Sequence, residues 1–248
     1  MKKITSVANE YIKGLAKLHD KKYRDEKREF LIEGYHLIEE AIGKVLKTVL
    51  IVDEKDEVLG VENILVTNDI INKLAFTKTP QNIIGVCNYF DESDIELFSG
   101  KKCLLLDNVS DPGNLGTLVR SSLGFNIDTV FLSENSVDIY NDKFIRSTQG
   151  AIFKLRLIKK DLKIVINKLK EKGFYIVGTS LKNAEPLESI KTINKYALIL
   201  GNEANGVSKE ILDLTNKNVY IVTNKDLESL NVGVAGGIIL YYLDKIYV

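Results

Sequence analysis

Metal-ligand clusters and disulfide frameworks are the first things this sequence lacks. In 248 residues there are two cysteines and two histidines, namely Cys87, Cys103, His19 and His36. No combination of these four gives a metal-ligand spacing. Both cysteines lie in apolar, strand-like runs, and two buried free thiols fit a reducing cytoplasm. An excess of charge of one sign is missing as well, because 34 basic and 34 acidic side chains cancel. No global positive field therefore argues for nucleic acid, and any such contact must come from a local patch. No apolar run approaches the ~18 residues of a membrane span, and the lysine-rich, amphipathic N-terminus has no signal-peptide core. A cytoplasmic protein without a membrane partner is expected. Two nucleotide-binding patterns, G-x-x-x-x-G-K-[ST] and G-x-G-x-x-G, are absent from the glycine-bearing loop where either would matter.

What is present is the profile of a globular protein, 45% hydrophobic and 27% charged, long enough for one or two domains. The most informative stretch spans residues 103–124. Leu104, Leu105 and Leu106 form a short apolar run that ends at Asp107 and reads as a buried strand. Asp, Asn, Ser, Pro and Gly then crowd residues 107–114, which is loop chemistry. From Leu115 onward the apolar positions Leu115, Leu118, Val119 and Leu123 recur at helical spacing. The order is strand, polar loop, helix, with Asn114 near the helix start and Arg120 nearly two turns on. Loops at the carboxyl ends of parallel strands are where open α/β sheets bind ligands. On this loop alone, Asn114 and Arg120 read equally well as a helix cap and a surface arginine.

Upstream, Val7, Tyr11, Leu15 and Leu18 mark one face of a helix. Its other face and the turn after it carry Lys13, Lys17, Lys21, Lys22, Arg24, Lys27 and Arg28, diluted by Asp20, Asp25 and Glu26. This run reads as a phosphate-contacting patch or as a solvated helix face. Strand-like runs near Leu31, Leu50, Leu65 and Ile84 alternate with helical stretches at 35–42 and 69–75, giving a small α/β domain. An acidic stretch from Asp91 to Glu96 is the one clear composition break, and it divides the chain into domains over 1–98 and 101–248.

Downstream, apolar runs at Val130, Ile176, Leu198 and Ile221 read as further strands, with an amphipathic helix at 162–169. The Leu198 run opens into Gly201-Asn202-Glu203-Ala204-Asn205-Gly206-Val207-Ser208, a second polar loop, with Ser208 as a helix N-cap. The last run leads through residues 223–228 to Ser229-Leu230-Asn231-Val232 and a helix containing Gly233, Gly236 and Gly237. Each glycine costs a helix ~1 kcal/mol against alanine. That cost implies close approach by neighbouring chain, a ligand or a partner subunit.

Together the three loops resemble the motifs of the SpoU, or TrmH-like, branch of the SPOUT RNA methyltransferases. Asn114 to Arg120 matches N-x5-R. Leu200 to Ser208 matches G-x-E-x-x-G-[LV]-S. Ser229-Leu230-Asn231-Val232 matches S-L-N-V. The N-terminal part, through Asn9-Glu10-Tyr11-Ile12-Lys13 and Phe30-Leu31-Ile32-Glu33-Gly34, is similar to the substrate-binding domain of the ribosomal-RNA members. The resemblance implies a C-terminal α/β SPOUT domain with a deep trefoil knot around a mostly parallel sheet, preceded by a small α/β RNA-binding domain. It implies a homodimer that binds S-adenosyl-L-methionine and transfers its methyl group to a ribose 2′-hydroxyl, most readily of ribosomal RNA. The same chemistry on transfer RNA, or a non-catalytic RNA-binding assembly factor on the same fold, are the competing readings.

By position, Arg120 matches the family's catalytic arginine. Asn114 would orient Arg120 or the nucleotide, and Glu203 would organise the active-site loop. Ser229 and Asn231 would cap the last helix and face the ribose or the donor. Backbone groups around Leu200, Gly201, Ile221 and Leu230 would hold the adenosyl group. One departure is Val222-Thr223, where the family often has Pro-Met, which leaves backbone recognition intact and alters any side-chain contact in the adenine pocket.

Overall fold

The computed structural model describes residues 1–91 and 100–248. Most of the acidic stretch read as the domain boundary, residues 92–99, lies outside the described residues. The chain forms two compact units. The first comprises Met1–Asp91 and Ile139–Phe153, and the second the described part of Glu92–Asp138 with Lys154–Val248.

The first unit contains β1 (Lys2–Ile4), α1 (Glu10–Ala16), α2 (Lys21–Lys27), β2 (Glu29–Glu33), α3 (Tyr35–Ala41), β3 (Leu46–Ile51), β4 (Glu62–Val66), α4 (Asn68–Leu74) and β5 (Ile83–Asn88). Its sheet runs β1-β4-β3-β5-β2. The first three strands are parallel, and β5 is antiparallel to both β3 and β2. Ile12, Leu15 and Leu18 on one side of the sequence and Ile70, Ile71 and Leu74 on the other share a core with Leu31, Leu50, Ile64 and Ile84.

The basic run behaves differently from a uniform patch. Residues expected to form a turn instead form α2, started by Asp20, whose carboxylate accepts the Lys22 N–H at 2.9 Å. Lys13 pairs with Glu10 at 2.8 Å, and Lys21 pairs with Asp25. Arg24 is 7% exposed, and its Nη1 donates to the carbonyls of Leu18 (2.8 Å) and His19 (2.9 Å). It is therefore an internal brace and not a phosphate contact. The side chain that α2 buries is a guanidinium, so apolar periodicity gives no sign of the helix.

The second unit begins with β6 (Lys102–Asp107), α5 (Pro112–Gly124) and β7 (Thr129–Leu132). After Asp138 the chain enters the first unit with α6 (Asp142–Ser147) and a 3-10 turn at Ala151–Phe153. It resumes with β8 (Arg156–Lys159), α7 (Leu162–Glu171), β9 (Tyr175–Thr179), β10 (Glu185–Pro186), β11 (Tyr196–Gly201), α8 (Lys209–Leu212), β12 (Lys217–Tyr220) and α9 (Val232–Lys245). The sheet order is β10-β12-β9-β11-β6-β7-β8, and its recorded pairings are parallel. Every residue of β6 and β11 is buried, as expected for central parallel strands covered on both faces. Alternation sends Ala197 and Ile199 toward Leu162, Val165, Ile166 and Leu169 of α7. Leu200 faces the other way, toward α9.

On that other face α5 and α9 meet closely. A Cβ on Gly236 would overlap Leu118 Cδ2 and lie 2.7 Å from Leu200 Cδ1. A Cβ on Gly233 would lie 3.2 Å from Thr117 Cγ2, and one on Gly237 would find Ser121 Oγ at 3.9 Å. Crowding thus concentrates at one of the three glycines.

Within the first unit, the excursion at Ile139–Phe153 completes an aromatic cluster. The Tyr140 ring stacks on Tyr89 with centroids 3.6 Å apart and planes 10° apart, and lies 5.0 Å from Phe30. The Phe90 N–H donates to Tyr140 Oη at 3.0 Å. Phe144, Ile145 and Ile152 are fully buried beside it in sequence. The single composition break at Asp91–Glu96, with domains over 1–98 and 101–248, leaves this segment in the second domain.

Tyr140→Ala should destabilise the first unit by ~2 kcal/mol, below the ~3–5 of a fully buried ring because Tyr140 is half-buried. Hydrogen exchange should quicken in β2 and β5 and stay unchanged in β6 and β11. Gly236→Ala should lower the melting temperature at low protein concentration, because overpacking costs ~1–3 kcal/mol and helix propensity returns ~1. Gly237→Ala, with ordinary van der Waals space, should raise it.

Candidate active site

Parallel strands bring the ends of β6, β11 and β12 to one edge of the sheet, and the three polar loops emerge there. Leu106 pairs with Leu200 and Asp107 with Gly201, so the first two loops start side by side. Asp111 starts α5, its carboxylate accepting the Asn114 N–H at 2.8 Å, with Pro112 in the first turn. The helix thus begins three residues earlier than its apolar pattern implies. Proline fits the first turn, where it gives up no intrahelical hydrogen bond.

Glu203 projects from the second loop onto the start of α5. Its carboxylate accepts from Ser110 Oγ at 3.0 Å, Ser110 N–H at 3.3 Å, Asp111 N–H at 3.2 Å and Asn114 Nδ2 at 3.1 Å. Partial burial pushes this carboxyl up. Its own main-chain N–H, the Asn114 carboxamide and the N–H groups of Asp111 and Ser110 outweigh that and bring it below the ordinary 4.5. It is ionised at neutral pH and fully engaged as an acceptor.

The third loop joins through Asn231. Its Nδ2 donates to Asn114 Oδ1 at 2.9 Å, while its Oδ1 accepts from Gly233 N–H (2.9 Å) and Val234 N–H (3.3 Å) at the start of α9. Asn114 therefore uses both ends of its carboxamide, one on Glu203 and one on Asn231. Three sequence-selected residues from three loops form one hydrogen-bonded chain that ends on the N-terminus of α9.

The other selected residues stand apart from this chain. Arg120 lies on α5 six positions after Asn114, exposed, and it has no hydrogen bond or ion pair among the described residues. Asn114 is thus engaged elsewhere and does not orient Arg120. Ser229 is exposed and makes no hydrogen bond among the described residues, so Asn231 caps α9 and Ser229 does not. Ser208 occupies the N-cap position of α8 without a side-chain cap bond; its N–H donates instead to Asp107 Oδ2 at 2.8 Å. Ser110, whose backbone and hydroxyl both hold Glu203, carries no motif signal beyond its place in a polar loop.

Leu200 and Gly201 are buried at the end of β11, whereas Ile221 and Leu230 are half-buried and flank an exposed loop over 222–229. There is no room for a side chain at Gly201, because a Cβ would run into the Gly206 carbonyl and Val207 N. Strand-end backbone polar groups beside aliphatic side chains suit an adenosyl group, which needs apolar walls and a few placed donors and acceptors. The donor set fits such a ligand.

Comparison with known proteins agrees with this architecture. Residues 101–241 match the SpoU rRNA Methylase family model, and residues 9–85 match the MRM3-like substrate binding domain. The chain is 38% identical over 249 residues to the 23S rRNA (guanosine(2553)-2′-O)-methyltransferase RlmP of Bacillus subtilis, covering 98% of this chain and 99% of that one. It is similar to the AdoMet-bound rRNA methyltransferase from Sinorhizobium meliloti, with a TM-score of 0.90 and 26% identity over 98% of this chain and 97% of that chain. A solved RNA 2′-O ribose methyltransferase superposes with a TM-score of 0.83 and 27% identity, covering 98% of each chain. The chain belongs to the SpoU rRNA methylase family.

Proposed function

We propose that this protein transfers the methyl group of S-adenosyl-L-methionine to a ribose 2′-hydroxyl of ribosomal RNA. The observation that carries the proposal is the Glu203–Asn114–Asn231 chain, which gathers three loops at the strand ends, with Arg120 further along the same helix as Asn114 and without a polar partner among the described residues. Similarity to RlmP over nearly the whole chain supports 23S ribosomal RNA, and the guanosine in that relative's name is the first nucleotide to map.

The reaction needs a nucleophile made from a poor one. A 2′-hydroxyl must lose its proton as it attacks, and the developing alkoxide needs a cation beside it. Glu203 is a weak candidate for the base, since its donors hold it below the ordinary carboxylate value. We assign it the role of fixing the first loop. Arg120 is permanently protonated and exposed, so it can bind phosphate and stabilise the alkoxide, with proton removal shared by an RNA phosphate or water. Asn114 and Asn231 hold the two helix starts in register, and Ser229 remains available to the ribose or the donor. Backbone groups at Leu200, Gly201, Ile221 and Leu230 would hold the cofactor, which supplies an electrophilic methyl group on a sulfonium.

Three finer points belong to the same proposal. The protein is a homodimer, supported by an exposed apolar stripe on α9 formed by Val234, Ile238 and Tyr241. The second unit carries the family's trefoil knot, which the close seat of Gly236 on Leu118 and Leu200 supports. The protein works in the cytoplasm, in keeping with free, buried Cys87 and Cys103. Among the described residues no helix is long and apolar enough to cross a membrane.

The test is labelled-methyl transfer to RNA from cells lacking the protein. Transfer to the ribosomal fraction is expected, while transfer to the transfer-RNA fraction, or to neither, would contradict the proposal. Arg120→Ala should lower turnover by about 10²-fold with little change in S-adenosylmethionine affinity. Arg120→Lys should rescue incompletely, because an ammonium lacks the planar fork. Glu203 adds a pH prediction. Its folded pKa is depressed, so its contribution to stability is complete above the unfolded value and lost as pH falls through the folded one. The melting-temperature gap between the native protein and Glu203→Gln should be widest above pH ~5 and close in acid. Finally, Ile238→Glu should shift sedimentation from dimer to monomer at micromolar concentration.

A further inference from the structure

Asn202 precedes Glu203 in the second loop, and its surroundings are unusually complete. The loop is closed by reciprocal backbone bonds, Asn202 N–H to Gly206 O at 3.0 Å and Gly206 N–H to Asn202 O at 2.8 Å. Gly206 has a φ of +68°, which glycine tolerates without strain. Inside this turn the Asn202 carboxamide works at both ends. Its Oδ1 accepts from Ala204 N–H (3.0 Å) and Asn205 N–H (3.2 Å), which shapes the turn around Glu203. Its Nδ2 donates outward to the Asn108 carbonyl at 2.9 Å.

The acceptor of that bond is itself held firmly. Asn108 has a φ of +56°, a conformation asparagine adopts more readily than most side-chain-bearing residues. Its N–H donates to Ser133 Oγ at 2.9 Å, and Ser133 Oγ donates to Asn108 Oδ1 at 3.3 Å. Ser133 is nearly buried and also bonds the buried Ser136 at 2.9 Å. The Asn108 carbonyl is thus aimed from the β7 side of the sheet at a loop that arrives from the β11 side. Two residues further along the same backbone stands Ser110, which holds the Glu203 carboxylate.

We propose that Asn202 is a positioning residue, whose single carboxamide locks the Glu203 loop to the Asn108 carbonyl and so sets the Glu203 carboxylate on Ser110, Asp111 and Asn114. Glu203 reaches across from one loop to the other, and the four donors it meets there lie on Ser110, Asp111 and Asn114 at the start of α5. The other ties between the two loops, Asp107 paired with Gly201 and Ser208 N–H on Asp107 Oδ2, lie at the two ends of the second loop, and between those ends rotation of the glutamate side chain alone would let the turn that carries Glu203 shift. Asn202 supplies a tie within the turn, one residue away from Glu203, through a bond from a short side chain to a fixed backbone group. An aspartate at this position would keep the two internal turn bonds and lose the outward donor, which separates the two functions of the carboxamide.

This inference rests on the assignment of Glu203 to the reactive centre. The experiment is a double-mutant cycle on kcat for methyl transfer, using Asn202→Asp, Glu203→Gln and the pair, with Asn202→Ser as a second single variant. Each Asn202 variant should lower kcat about 3- to 10-fold, the rate equivalent of one neutral hydrogen bond, with KM for S-adenosylmethionine within about twofold. The Glu203 carboxyl, followed by carbon NMR, should titrate closer to its ordinary value in Asn202→Ser, which removes the outward donor without adding a charge. Because Asn202 acts through Glu203, the double variant should be no slower than Glu203→Gln alone. Multiplying losses, or an unmoved Glu203 titration, would overturn the role of Asn202 and leave that of Glu203 intact. Full activity in Glu203→Gln would overturn both.

Discussion

The site depends on how closely α5 and α9 approach. Asn231 can reach Asn114 because Gly233 and Gly236 let the start of α9 settle on Thr117, Leu118 and Leu200. A helix with three glycines near its start is a poor helix by propensity, yet it is capped by Asn231 and held by packing. The same asparagine thus starts the helix and ties it to the first loop. Glu203 adds the second loop through Asn114. The three loops are therefore one polar network resting on one close-packed helix pair.

One charged group lies inside that network and another outside it. The Glu203 carboxylate is surrounded by donors and remains ionised, which suits holding and disfavours taking a proton. Arg120, on the same helix as Asn114, is exposed and has no polar partner among the described residues. The proposed electrostatic mechanism at a ribose asks for a fixed anion that organises backbone and a cation available to substrate, the roles assigned above to Glu203 and Arg120. In the first unit the pattern is reversed: Arg24 is a buried guanidinium used to tie backbone carbonyls.

Much of this was legible in the sequence, for identifiable reasons. β6 and β11 are buried on both faces, so they read as continuous apolar runs. The loops after them concentrate Asn, Asp, Ser and Gly, whose chemistry is local. Apart from Asn114, the donors around Glu203 were not legible, because two are backbone N–H groups that any residue could supply. Ser229 and Asn231 looked alike as caps, and the point at which α9 begins decided between them. The excursion at Ile139–Phe153 was invisible because Tyr140 gains its meaning from Tyr89 and Phe30, far away in the chain. The helix α2 leaves no apolar signature in the sequence, because the residue it buries is an arginine.

Everything proposed for this site turns on the methyl group arriving on a ribose oxygen. The most direct test is alkaline hydrolysis of ribosomal RNA methylated by the protein with labelled S-adenosylmethionine. A 2′-O-methyl blocks the neighbouring-group attack by which alkali cuts RNA. The label is expected to survive in alkali-resistant dinucleotides. Label released in mononucleotides, as a base methylation would give, would contradict it.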